Sequence, residues 1–143
     1  MVKGCEQMIF HIKNMYVCVS WYFFIMIGWV ILTNKTKVFL LCLVALIIHE
    51  AGHIITIYIL KEKVSIFHIL PLGFCCRLKN QNRISNENMI KILLFGPVTS
   101  ICVAGLFLWT KEFSIVNLMI GLFNLLPFGN LDGGRVVKII EKK

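Results

Sequence analysis

His49, Glu50 and His53 stand within the run His49-Glu50-Ala51-Gly52-His53. On a helix, residues four apart share a face, so both imidazoles can reach one metal ion. Glu50 sits beside them, where its carboxylate can take a proton from a metal-activated water. Two imidazoles, a carboxylate and an open fourth position suit Zn2+. Zinc lowers the pKa of bound water toward about 7 and polarises a scissile carbonyl. The chemistry indicated is metal-assisted hydrolysis. The plain alternative is a pair of histidines bonded to neighbouring helices. The surroundings weigh against that, because residues 38–48 before the run and 54–60 after it are apolar. Ionisable groups at membrane depth are costly and usually functional.

The run supplies two metal ligands, so a third must come from elsewhere. The chain has seven acidic residues. Glu6, Glu62, Glu87, Glu112 and Glu141 fall in expected loops or tails, and Glu50 is taken as the base. Asp132 remains, within Asn124-Leu125-Leu126-Pro127-Phe128-Gly129-Asn130-Leu131-Asp132-Gly133-Gly134. Pro127 and Gly129 allow a break that would carry Asp132 back toward the histidines. Spacing alone leaves Asp132 open between a ligand and a helix-capping residue.

The elements that must position these groups are membrane helices. The 143 residues are 58% hydrophobic, above the usual share of about 45–50% in soluble domains, and the mean hydropathy is +0.82. We read residues 1–143 as one integral-membrane domain built around this candidate metal site. The fold class expected is an all-α polytopic membrane protein with about four transmembrane helices, over residues 16–32, 38–60, 89–109 and 113 to at least 128. Each approaches the roughly 20 residues that a span needs. The first lacks a small-residue cleavage site after it and reads as a retained anchor. Residues 64–70, the turn signal Pro71-Leu72-Gly73 and residues 74–78 suit a small interfacial β-hairpin between the second and third spans. Its edge could receive an extended peptide, or the segment could be a plain interfacial loop.

The net charge of +8 reports loops facing anionic lipid rather than a nucleic-acid partner. With four spans, Lys35, Lys37 and Lys111 face one side and the other Lys and Arg residues face the opposite side. Both termini are therefore expected in the cytoplasm of a bacterial cell membrane protein. The six cysteines form no disulfide or zinc-ribbon spacing. His11 and His68 have no ligand partner at useful spacing, and the Trp21–Trp29 aromatics read as lipid contacts.

These residues resemble the site-2 protease family of intramembrane zinc metalloproteases. The likeness rests on His49-Glu50-Ala51-Gly52-His53, Asn124-Leu125-Leu126-Pro127 and Leu131-Asp132-Gly133-Gly134. It extends to Leu70-Pro71-Leu72-Gly73-Phe74 and Gly96-Pro97, and within the family it is nearest the branch of stage IV sporulation protein FB. The resemblance implies His49, His53 and Asp132 as zinc ligands and Glu50 as general base. It implies Asn124 as support for the substrate or transition state; as a residue alone, Asn124 could equally bond across helices. A membrane-embedded or membrane-tethered protein is the implied substrate, a sporulation sigma-factor precursor in that branch, with membrane regulatory proteins as further partners. Ser100 departs from the pattern, since many relatives carry Asn there.

Two other functions fit parts of the sequence. A catalytically inactive metal-binding membrane scaffold would keep the ligands and not need Glu50. A metal transporter would need ligands staged along a path, which the first and third apolar segments lack.

Overall fold

The computed structural model describes residues 7–12, 15–62, 64–70, 73–78 and 84–141. In chain order the elements are β1 (Gln7–Ile12), β2 (Met15–Ser20), α1 (Trp21–Leu32), α2 (Thr36–Ile59), β3 (Val64–Leu70), β4 (Gly73–Leu78), α3 (Asn86–Leu106), α4 (Lys111–Leu125) and α5 (Asp132–Glu141). They fall into two compact units, Met1–Phe39 with Glu62–Asn82, and Leu40–Lys61 with Arg83–Lys143.

The first unit holds a four-stranded sheet in the order β1-β2-β3-β4. β1 and β2 pair antiparallel from Gln7↔Ser20 to Ile12↔Met15, and β2 runs parallel to β3. β3 and β4 pair antiparallel from Val64↔Leu78 to Leu70↔Gly73; Pro71 and Leu72 lie outside the described residues. The strands of residues 7–20 correct the expectation that helices alone, apart from one hairpin, build the chain. Residues 16–32 do not form one span. Met15–Ser20 is a strand, and only the 12 residues Trp21–Leu32 are helical. Tyr16, Val17 and Val19 are good strand formers, and their apolar character runs straight into that of α1.

The second unit contains α3, α4, α5 and most of α2. Among the described residues, α2 with 24 residues and α3 with 21 are long and apolar enough to cross a membrane. α4, with 15 residues, falls short of the roughly 20 needed. It stops at Leu125 because Pro127 follows: Leu126 is extended, at φ −60° and ψ 138°, as the residue before a proline prefers. At the start of α3, the Ser85 hydroxyl accepts the Asn88 amide at 3.2 Å, which satisfies one of the free amides of the first turn.

Burial in this unit is inverted relative to a water-soluble core. Eight buried residues are polar or charged among those described: His49, Glu50, His53, Thr56, Ser100, Ser114, Asn117 and Asp132. The buried apolar side chains among those described are Ala45, Ile57, Met89, Ile92, Leu93, Pro97 and Ala104. Leu40, Ile47, Ile54, Ile55, Phe95, Val98, Leu122 and Phe123 are exposed. Polar groups gathered inside an apolar exterior fit a hydrocarbon solvent, where each polar group must find an internal partner. The Thr56 and Thr99 hydroxyls do so by donating to the Gly52 and Phe95 carbonyls at 2.9 and 2.7 Å.

Helix contacts are close because small residues line them. A Cβ on Gly52 would lie 2.5 Å from Thr99 Oγ1 and 2.7 Å from the Phe95 carbonyl oxygen. A Cβ on Gly121 would lie 2.9 Å from Ile101 and 3.0 Å from the Pro97 carbonyl oxygen. The Ser114 hydroxyl donates to the Ala104 carbonyl at 2.7 Å, joining α4 to α3.

Candidate metal centre

His49 and His53 lie one turn apart on the buried face of α2. Their rings meet edge to face, with centroids 4.9 Å apart and planes at 80°, and their Nε2 atoms are 3.2 Å apart. Asp132 Oδ2 is 3.2 Å from His49 Nε2 and 3.2 Å from His53 Nε2. Three donor atoms from positions 49, 53 and 132 thus form a nearly equilateral triangle.

The outward nitrogens of both rings are engaged by α3. His53 Nδ1 lies 2.7 Å from the Ile92 carbonyl oxygen. A carbonyl only accepts, so Nδ1 carries the proton and a neutral His53 presents a lone pair at Nε2. His49 Nδ1 lies 3.1 Å from Ser100 Oγ. A carboxylate oxygen and an imidazole lone pair converge with the second imidazole nitrogen, and such atoms attract one another only through a shared proton or a cation among them. A tetrahedral zinc ion with bonds of about 2.0–2.1 Å holds its ligands about 3.3 Å apart, which matches the 3.2 Å separations. The donor set and its spacing fit zinc.

Glu50 is buried beside this triangle, and its carboxylate and the two imidazoles offer ligand atoms within 4.8 Å of one another. That span allows a water to touch both Glu50 and the centre of the triangle.

Glycines make room for this cluster. A Cβ on Gly96 would overlap the His53 ring at Nε2 and Cε1. A Cβ on Gly133 would overlap the Leu125 carbonyl, and one on Gly134 would lie 2.7 Å from the Phe128 carbonyl oxygen. The first turn of α5 therefore tucks against the end of α4, and the break at Leu126–Pro127 turns Asp132 back to the histidines. Lys138 Nζ donates to the Gly129 carbonyl at 2.7 Å, holding the 126–131 loop onto α5. Asp132 aims its carboxylate at the imidazoles rather than at the amides of its own helix.

The structure brings His49, Glu50, His53 and Asp132 together. Asn124 stands apart in its hydrogen bonding: its Nδ2 donates to the Ile120 carbonyl at 3.0 Å within α4, which leaves its Oδ1 for other use. Sequence reasoning did not find the Ile92 carbonyl or the space-making role of Gly96, and it saw Ser100 only as a departure from a motif. Gly96-Pro97 inside an apolar helix was the available signal.

No family model matches the chain. Zinc metalloprotease MJ0392 of Methanocaldococcus jannaschii is 29% identical over 139 residues, covering 83% of this chain and 39% of that protein. Stage IV sporulation protein FB of Bacillus subtilis is 24% identical over 124 residues, covering 79% of this chain and 43% of that protein. The solved structure of the site-2 protease from Methanocaldococcus jannaschii matches 96% of this chain and 73% of its own, with a TM-score of 0.74 and 26% identity. The chain is similar in sequence and in fold to site-2 proteases. As a site-2 protease relative, it spans about two fifths of the length of the two named proteins, 39% and 43%. Within that span lies the buried cluster of His49, Glu50, His53 and Asp132.

Proposed function

We propose that the chain is an intramembrane zinc metalloprotease that hydrolyses a peptide bond in a membrane-embedded or membrane-tethered protein. The observation that carries this is the triangle of His49 Nε2, His53 Nε2 and Asp132 Oδ2, each pair 3.2 Å apart, with Glu50 buried beside it. His49, His53 and Asp132 are the ligands, and the bound zinc supplies Lewis-acid polarisation and a more acidic water. Glu50 accepts the proton of the attacking water and delivers it to the leaving amine nitrogen. Asn124 steadies the substrate carbonyl or the charge that develops on it. The helices exclude bulk water, which strengthens each of these polar interactions.

The substrate enters as an extended segment, since helical hydrogen bonds shield a peptide bond. A sporulation sigma-factor precursor is the substrate suggested by the likeness to stage IV sporulation protein FB, which is 24% identical.

The experiment is co-expression of the chain with a membrane-tethered sigma-factor precursor. Glu50→Gln removes the proton acceptor and is expected to cut cleavage by about 10²–10⁴-fold. Undiminished cleavage contradicts the proposal, and an inactive scaffold would show no difference between the two proteins.

A further inference from the structure

We infer that Ser100 is a positioning residue, which holds the His49 ring in the orientation and tautomer that leave Nε2 free for a metal ion; this rests on the zinc reading above. Ser100 is fully buried at 0% exposure, and its Oγ lies 3.1 Å from His49 Nδ1. The opposite nitrogen, Nε2, lies 3.2 Å from both Asp132 Oδ2 and His53 Nε2. An imidazole that gives its Nε2 lone pair to a cation must carry its proton on Nδ1. That proton needs an acceptor, and the Ser100 hydroxyl oxygen stands where it points. His53 meets the same need with a different group, the Ile92 carbonyl at 2.7 Å. Both acceptors come from α3, so one helix sets the rotation of both imidazoles.

Ser100 differs from the other hydroxyls of the two long helices. Thr56 and Thr99 donate to carbonyls four residues back in their own helices. Ser100 instead meets a side chain of another helix, 51 positions earlier. Water cannot readily take its place, because α4 closes over it: a Cβ on Gly121 would lie 3.2 Å from Ser100 Cβ. Loss of this oxygen leaves the buried Nδ1–H unpaired, or lets the ring take the other tautomer and turn a proton toward the metal position.

The test uses the purified full chain in detergent micelles, with zinc affinity measured by competition against a chelator. Ser100→Ala is expected to weaken zinc binding about 10–100-fold, the usual effect of removing a partner behind a metal-ligating histidine. Ser100→Thr keeps the hydroxyl and is expected to bind within a few-fold of the parent. A second reading is the ¹⁵N shift of the His49 ring in the zinc-loaded protein, which reports the Nδ1 hydrogen bond and is insensitive to a general loss of stability. Should Ser100→Ala fail to fold, Ser100→Cys keeps the volume with a much weaker acceptor and takes its place. Parent-like zinc affinity in Ser100→Ala overturns this assignment alone, as does Ser100→Thr binding as weakly as Ser100→Ala. Failure of the parent to bind zinc overturns the metal reading and the assignment together.

Discussion

Gly96→Ala places one methyl group against the proposed metal ligand His53, and its effect can be worked from the contacts. The new Cβ would overlap the ring at Nε2 and Cε1 and lie 2.8 Å from Cδ2, where ordinary contacts begin at 3.4 Å. In a close-packed interior the ring must retreat by about 1 Å or more. It is pinned on its far side, with Nδ1 only 2.7 Å from the Ile92 carbonyl oxygen. Metal–ligand distances tolerate about 0.2 Å, so the retreat removes one of three ligands. Zinc affinity should fall by more than the roughly 10–100-fold typical of an outer partner. The metal-free protein should also lose about 1–3 kcal/mol from overpacking. Gly105→Ala is the control on the same helix, because a Cβ there meets nothing within 4 Å. It should leave zinc binding unchanged and add up to about 0.5–1 kcal/mol of stability through helix propensity. Chelator competition and thermal unfolding of the metal-free proteins measure both effects. Gly96→Ala that binds zinc within tenfold of the parent refutes the packing argument.

Three further outcomes follow from particular contacts. Asn117 is fully buried, and its Oδ1 lacks a hydrogen-bond partner, so Asn117→Leu should change stability by no more than about 1 kcal/mol in either direction; a denaturation midpoint showing a loss above about 3 kcal/mol would contradict this. Gly133→Ala puts a Cβ onto the Leu125 carbonyl, so it should shift α5 and Asp132 and weaken zinc binding while the helical circular-dichroism signal is retained. Ser85→Ala removes the cap that accepts the Asn88 amide at 3.2 Å and should cost about 1 kcal/mol in chemical unfolding, with zinc affinity unaltered.

The candidate site was legible to the extent that its residues carry a spacing or a polarity that their surroundings disfavour. His49 and His53 stand out because the helical repeat and the apolar flanks make them conspicuous together. Asp132 was reachable because few acidic residues compete with it, and Pro127 announces the break that brings it back. Ser100 and the Ile92 carbonyl were hidden for the opposite reason. A single serine in an apolar helix has no periodic partner, and a backbone carbonyl has no sequence signature at all. Gly96 reads as a weak helix residue until the His53 ring is seen beside it. In the fold, α2 and α3 follow from apolar runs of sufficient length. The strand Met15–Ser20 was concealed because its β-branched and aromatic residues merge with the apolar start of α1.

In the proposed centre, one zinc ion is held by two imidazoles of α2 and the carboxylate at the start of α5. Metal content per chain tests it most directly, measured on the purified parent, Glu50→Gln and Asp132→Ala after equilibration with limiting zinc and removal of loosely bound ions. One zinc per chain is expected in the parent and in Glu50→Gln, and little or none in Asp132→Ala. Equal zinc content in the parent and Asp132→Ala would contradict it.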